Sequence, residues 1–257
     1  MTAVQVVKIG GAALADAGWL ERFANHASTA FNGGRIIVHG GGPEISALSE
    51  QLGIEVQWNG GRRVTSAAAL DVASLVLTGR INKRIVRGLQ AAGVDAIGLS
   101  GEDAGLVHAR VMQGGQLGRV GEVTAVRMSL LRSLLALGLV PVISPISLAD
   151  DGGAVNINAD EVATAIAQAI SAVELLFLTD VPAVRGTAGA LSSLSVPDAR
   201  ALVTGRIATG GMAVKLGAAI NAVEQGIGRV RVGSLEMMND SEAGTVIRRE
   251  EELVCRS

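Results

Sequence analysis

The chain has 257 residues with 22 basic and 24 acidic side chains, a formal net charge of -2 and 49% hydrophobic residues. That is enough for one large α/β domain or two lobes around a sizeable core, without the basic footprint of a nucleic-acid binder. Aromatic residues make up only 2% of it and tyrosine is absent, which removes base-stacking platforms as well.

From the N-terminus, Met1 to Lys8 shows no basic leader, apolar core or cleavage site, and the single cysteine, Cys255, has no internal partner. Both features lead us to expect a reducing, cytoplasmic setting. Short apolar runs then alternate with longer stretches of helical period, the pattern of a mostly parallel sheet with helices on both faces. Strands are expected at Val4 to Ile9, Arg35 to Val38, Val94 to Leu99, Leu139 to Ser144, Leu175 to Leu178 and Arg229 to Val232. Helices are expected near Trp19 to Phe31, Pro43 to Gln51, Ala67 to Ala92, Val126 to Leu137, Asp160 to Ser171 and Gly211 to Gln225. Ile54 to Thr65 reads as a ribbon, and Val107 to Val123, centred on Gly114 and Gly115, as an antiparallel hairpin added to the sheet. The longest uncharged stretch, Ser133 to Ala149, contains Pro141 and Pro145 and is shorter than the ~20 apolar residues of a spanning helix. It reads as a buried helix followed by a buried strand, so no membrane partner is expected. Ala188 to Ser195 is small and polar enough for a mobile loop, and any division into lobes falls near Asp180.

Glycines cluster at Gly10-Gly11, Gly40-Gly41-Gly42 and Gly210-Gly211, each between a strand or loop and a helix start. Such turns let backbone approach a ligand and aim free N–H groups at an anion. Pro43 suits a first helical turn, so His39 to Pro43 is a strong candidate. No Gly-Lys dipeptide and no G-x-G-x-x-G run occurs, which disfavours a P-loop or a dinucleotide fold. Only three of the 22 cations are lysines: Lys8, Lys83 and Lys215. An ammonium is a compact point charge where arginine is a planar fork. Lys8 directly precedes the first glycine turn, and Lys215 leans back toward Gly210 and Gly211 from the second turn of a helix. Lys83 lacks such a neighbourhood and reads as a solvated surface residue.

In Asn156-Ile-Asn-Ala-Asp160, an extended backbone points Asn156 and Asn158 the same way, suited to donating to a carboxylate. Asp160 has an alternative role as a helix N-cap. Arg63 suits a bidentate carboxylate contact, although its neighbour Arg62 also fits a solvated ribbon tip. His26, His39 and His108 lack metal-ligand spacing and read as structural.

The succession Val7 to Gly11, Val38 to Pro43, Gly61 to Thr65, Asn156 to Asp160, Leu178 to Val181 and Thr209 to Lys215 resembles the N-acetylglutamate kinases of the amino acid kinase superfamily. The motifs run in family order from about Val4 to Ile247. The resemblance implies a three-layer αβα sandwich with an open, mostly parallel central sheet. It also implies transfer of the ATP γ-phosphoryl group to the side-chain carboxylate of N-acetyl-L-glutamate, with Mg²⁺ held on the phosphates. An N-terminal lobe, residues 1–179, would bind the acyl amino acid and form the dimer, and residues 180–257 would bind ATP.

By motif position, Lys8 and Lys215 would stabilise the moving phosphoryl group and Asp160 would orient them. Gly41, Gly42, Arg63, Asn156 and Asn158 would hold the substrate. Gly10, Gly11, Asp180, Val181, Pro182, Ala183, Val184, Arg185, Ile207, Ala208, Thr209, Gly210 and Gly211 would line the nucleotide site. The chain departs from the family at Ala183, where glycine is common, at Arg62 and Ser66, which replace a usual Leu and Asp, and at Val232 to Glu236, which lacks Asp-Gly-Arg. Its short lead before the first strand, beside relatives with an extra N-terminal helix, implies a homodimer insensitive to arginine. The competing readings are a kinase for a related acidic substrate, such as carrier-linked α-aminoadipate, and a non-catalytic amino acid sensor. Fold alone does not separate these, but retention of both glycine-flanked lysines speaks against the sensor.

Overall fold

The computed structural model describes residues 3–249 apart from 12, 30–32, 113–115 and 188. Phe31, Gly114, Gly115 and Cys255 therefore lie outside the described residues.

Eight strands form the central sheet. In chain order they are β1 (Val4–Ile9), β2 (Gly34–His39), β5 (Ala96–Ser100), β8 (Val140–Ser144), β11 (Glu174–Leu178), β14 (Ser193–Ser195), β15 (Val230–Gly233) and β16 (Thr245–Arg248). Their spatial order is β14-β16-β15-β11-β1-β2-β8-β5, parallel throughout except where β15 meets β16. All six residues of β1 are buried, as a central strand covered on both faces requires.

Alternation along β1 divides the core. Val4 and Val6 pack with α5 (Met128–Ala136), α6 (Ala159–Ile170) and α8 (Gly210–Glu224), through Leu131, Val162, Ile166 and Leu216. Val7 and Ile9 pack on the other face with α1 (Ala17–Ser28) and α2 (Gly42–Gln51), and with a long helix built from α3 (Ala67–Ser74) and α4 (Asn82–Ala91). Lys8 shares the side of Val4 and Val6, so its ammonium points into the layer that carries α6 and α8.

The structure corrects several expectations. Ala67 to Ala92 is one helical rod interrupted by a seven-residue π segment, Leu75–Ile81. The hairpin of β6 (Val107–Val111) and β7 (Gly121–Val126) is antiparallel as expected but does not extend the central sheet. It joins β9 (Ile146–Ala149) and β10 (Ala154–Asn156) in a second sheet of order β10-β9-β6-β7. The chain turns out of β8 at Pro145 straight into β9, so Ser133 to Ala149 supplies two strands, not one.

Nor is α5 a buried helix: Leu131 is its one buried residue among those described, and Leu137 just beyond it is 74% exposed. An outer-layer helix covers the sheet with a single face. Within Ala188 to Ser195, expected as a loop, lie β13 (Gly189–Ala190), which pairs with β12 (Arg185–Gly186), and β14, which pairs with β16. Those strands are too short to show a period, and their order comes from backbone pairing. Helix α7 (Val196–Thr204), capped by the Ser195 side chain on the Asp198 amide, has too mixed a pattern to stand out in sequence.

Connections from β1 run toward β2, while those from β11 run toward β15, so the chain leaves the C-terminal ends of these two adjacent strands in opposite directions. Open α/β sheets bind ligands in the crevice formed at such a switch.

Candidate active site

At the C-terminal ends of β1 and β2 the first two glycine turns meet backbone to backbone. A Cβ on Gly11 would stand 2.8 Å from the Gly41 Cα, and one on Gly41 would press on Leu77 Cδ2 at 2.8 Å and on the end of Ile81. Glycine is a steric necessity at Gly11, where the obstacle is backbone, whereas at Gly41 the ends of two flexible side chains would have to shift. Helix α2 starts at Gly42 with Gly41 as N-cap and no side-chain cap, so its first-turn amides are left to the cleft. Beneath this turn His39 is fully buried, in contact with the Gly40 carbonyl at Nδ1 (3.1 Å) and with the Asn82 amide at Nε2 (3.3 Å). Burial lowers its pKa to about 4, so the imidazole is neutral and structural, as expected.

A cleft of about 330 Å³ opens beside these turns. Its lining includes Lys8, Gly11, Gly41, Gly42, Arg63, Asn156 and Asn158. Lys8, 9% exposed, meets Asp160 Oδ1 at 2.6 Å, and that oxygen accepts no hydrogen bond from any other described group. Asp160 is therefore not the N-cap of α6. Asn158 takes that role, its side chain accepting from the Asp160 amide at 2.9 Å, which frees the Asp160 carboxylate for the lysine. The capping alternative fails because an N-cap lies just outside the helix and Asp160 lies inside it.

Arg63 is 7% exposed, stacks over Trp58 at 4.6 Å, and donates to the Gly42 carbonyl (3.0 Å) and Ser46 Oγ (2.7 Å). Among the described residues no carboxylate pairs with it, and burial lowers its pKa. An arginine held by neutral acceptors at the wall of a cleft is able to receive an incoming carboxylate. Its neighbour Arg62 is not a free ribbon tip; it pairs with Glu161 at 2.6 Å. Asn156 Nδ2 reaches Thr65 Oγ1 at 3.3 Å and still borders the cleft.

Lys215 rises from the second turn of α8, half-buried, with its ammonium 3.7 Å from where a Cβ on Gly211 would sit. Burial first and the charge of Lys8 second lower its pKa, while Asp180 and Asp160 oppose that shift. The four charged groups thus share one electrostatic field. Helix α8 starts from Thr209 without a side-chain cap, and Gly210 has φ +53, so this terminus too presents amides.

Asp180 follows β11; Thr179 Oγ1 donates to it (2.8 Å), and this contact with the nearby Lys215 lowers its pKa. Along the adjoining loop Val181, Pro182, Ala183 and Arg185 are partly or fully exposed, whereas Val184 is core, so its part in any site is through the backbone. Ala183 does not adopt a positive φ, so its backbone conformation does not call for glycine. Near α8, Ala208 is buried while Ile207 and Thr209 are exposed. These residues and Gly10 lie outside the cleft lined by Lys8 and Arg63. Sequence reading missed Trp58 at the cleft, and Ser46 and Glu161, which hold Arg63 and Arg62; only their position beside recognised motifs could have pointed to them. Lys83, read as a solvated surface residue, is exposed and donates to the Gly98 carbonyl at 3.0 Å.

Comparison with known proteins places the chain in a family. An acetylglutamate kinase of Chloroflexus aurantiacus is 42% identical over 243 residues, spanning 93% of this chain and 95% of that protein. An acetylglutamate kinase of Prochlorococcus marinus is 40% identical over 256 residues, spanning 94% and 83%. The crystal structure of smu.665 from Streptococcus mutans superposes with a TM-score of 0.82 at 28% identity, over 97% of this chain and 100% of that one. The amino acid kinase family matches residues 3–234. The chain belongs to the amino acid kinase family.

Proposed function

We propose that this kinase transfers the γ-phosphoryl group of ATP to the side-chain carboxylate of N-acetyl-L-glutamate, giving N-acetyl-L-glutamyl 5-phosphate and ADP in arginine biosynthesis. The observation that carries the reading is the cleft itself, with one unpaired guanidinium on its wall, Arg63, and one ammonium on its floor, Lys8. A small ligand with two carboxylates suits a cleft that carries two cations. The α-carboxylate belongs on Arg63 with Asn156 and Asn158 beside it. The side-chain carboxylate is then directed toward Lys8 and the amides of Gly41 and Gly42.

One carboxylate oxygen attacks the γ-phosphorus while the bond from that phosphorus to the β–γ bridging oxygen breaks. The attacking carboxylate is already ionised, so no proton has to move and no general base is needed. What the reaction requires is positioning and cancellation of negative charge. Lys8 on the acyl side and Lys215 on the nucleotide side supply the cations, and Asp160 fixes Lys8. The amides of Gly10, Gly11, Gly210 and Gly211 suit the phosphates.

Mg²⁺ would enter on the ATP phosphates. Among the described residues no group of three or more His, Cys, Asp or Glu side chains is arranged to hold a metal, and Asp160 is committed to Lys8. The division of labour between residues 1–179 and residues 180–257, a cytoplasmic location and a homodimer belong to the same reading. Leu75, 65% exposed on the long helix, offers apolar surface for a second copy, and sedimentation equilibrium tests for the dimer.

The deciding experiment is ADP release with N-acetylglutamate, glutamate, aspartate and α-aminoadipate in parallel, with the acyl phosphate trapped as its hydroxamate. N-acetylglutamate should give by far the highest kcat/KM; equal or better turnover with α-aminoadipate would replace the substrate.

A further inference from the structure

The ribbon that carries Arg63 is very short. Strands β3 (Trp58–Asn59) and β4 (Arg62–Arg63) share two residue pairs, Trp58 with Arg63 and Asn59 with Arg62, around a Gly60-Gly61 turn. Both glycines have positive φ, +57 and +77, as a tight two-residue hairpin requires. The ribbon belongs to neither large sheet. A lone two-stranded hairpin is marginal in water, so anchors outside the ladder decide where it sits.

Backbone bonds of Thr65 with Leu117 (2.9 Å) and Arg119 (2.7 Å) hold its C-terminal end, and its two arginines add side-chain anchors from opposite sides. Successive residues of a strand point to opposite faces. Arg63 reaches α2 through Gly42 and Ser46, while Arg62 reaches the first turn of α6, where Nη2 meets Glu161 Oε1 at 2.6 Å and Nη1 meets Oε2 at 3.2 Å. That pairing is bidentate, the form in which an arginine–carboxylate contact fixes orientation as well as charge. Both side chains are about three-quarters buried, and burial raises the Glu161 pKa while Arg62 opposes it. Glu161 directly follows Asp160, the partner of Lys8. Arg62 also borders the cleft, yet with Glu161 as its partner it is not a second free receptor for a carboxylate.

We propose that Arg62 and Glu161 are positioning residues: their ion pair clasps the ribbon to α6 and so sets the span from Arg63 to Lys8 and Asp160. The proposal rests on reading the cleft as the acyl amino acid site. Arg62→Met and Glu161→Gln should each raise KM for N-acetylglutamate about three- to tenfold, the range of a partly buried ion pair. KM for ATP and Tm should stay near the parent values. The double variant should be no worse than either single one, because both remove the same contact.

Trp58 provides a readout that needs no substrate. In a Trp19→Phe background its fluorescence anisotropy should drop equally in both single variants and in the double. Unchanged KM and anisotropy in the single variants, or additive losses in the double, would overturn the clasp. An equal rise in both KM values with a lowered Tm would overturn it too, by showing general destabilisation. A parent enzyme inert toward N-acetylglutamate, with anisotropy still responding to the clasp variants, would overturn only the substrate reading.

Discussion

The two sides of the proposed reaction centre are built differently. On the acyl amino acid side, Lys8 is paired with Asp160, Arg63 is held by Gly42 and Ser46, and the glycine turns are packed against each other with neutral His39 beneath. On the nucleotide side, α8 begins without a side-chain cap, Asp180 to Arg185 is largely exposed, and both Arg206 and Gly210 adopt positive φ. A small dianion needs a preformed receptor to distinguish it from its analogues. A triphosphate brings enough charge to order backbone amides around itself. On the proposed reading, the acyl side would derive its affinity from fixed side chains, and the nucleotide side from helix termini that the ligand completes.

The sharpest way to break this comparison is to keep the charge and change its shape. Lys8→Arg and Lys215→Arg should each lower kcat on the order of 10²–10³-fold, because a planar fork cannot take the place of a point charge beside the γ-phosphate. Near-normal turnover in both variants would show that only charge matters. Lys215 also offers a pH test. Activity that needs a protonated Lys215 is lost as pH rises through its lowered pKa, below the usual 10.5 of a lysine. A pH profile of the residual activity of Lys215→Arg should lack that alkaline limb.

Acid should weaken the preformed side. His39 is buried neutral with a pKa of about 4 against 6.5 for the free side chain, so between those values the unfolded chain binds the proton more readily. Stability from this group is complete above 6.5 and falls toward pH 4 by about 3 kcal/mol. Urea midpoints across that range, with an NMR titration of the His39 ring, check this; an imidazole titrating near 6.5 would remove the effect.

Arg63→Leu should raise KM for the acyl amino acid roughly 10- to 100-fold, the cost of a charge-assisted contact, and leave KM for ATP little changed. An equal rise in both would erase the distinction between the two sides. The smallest effect concerns adjacent glycines. A Cβ at Gly11 meets Gly41 backbone, whereas one at Gly10 meets nothing within 4 Å. Gly11→Ala should therefore cost about 1–3 kcal/mol in thermal unfolding and Gly10→Ala within about 0.5 kcal/mol.

Much of this was legible in the chain. The buried strands β1, β2, β8 and β11 emerge from apolar runs, and Gly11, Gly41 and Lys8 from a motif whose neighbours are adjacent in sequence. What stayed hidden depends on partners far along the chain. Nothing local says that β6 and β7 leave the central sheet for β9, that β16 runs antiparallel, or that Arg62 meets Glu161. Asp160 is the clearest case, since sequence allows it either to cap α6 or to face Lys8.

By itself, then, the sequence determined the layered α/β architecture, the glycine turns and which cations flank them, because periodicity and turn stereochemistry are local. The tertiary structure alone decided that Asn158 caps α6 so that Asp160 faces Lys8, and that among the described residues Arg63 is left without a protein carboxylate while Arg62 is not. Those assignments depend on which charges burial brings within 3 Å of one another, and spacing along a chain does not encode that.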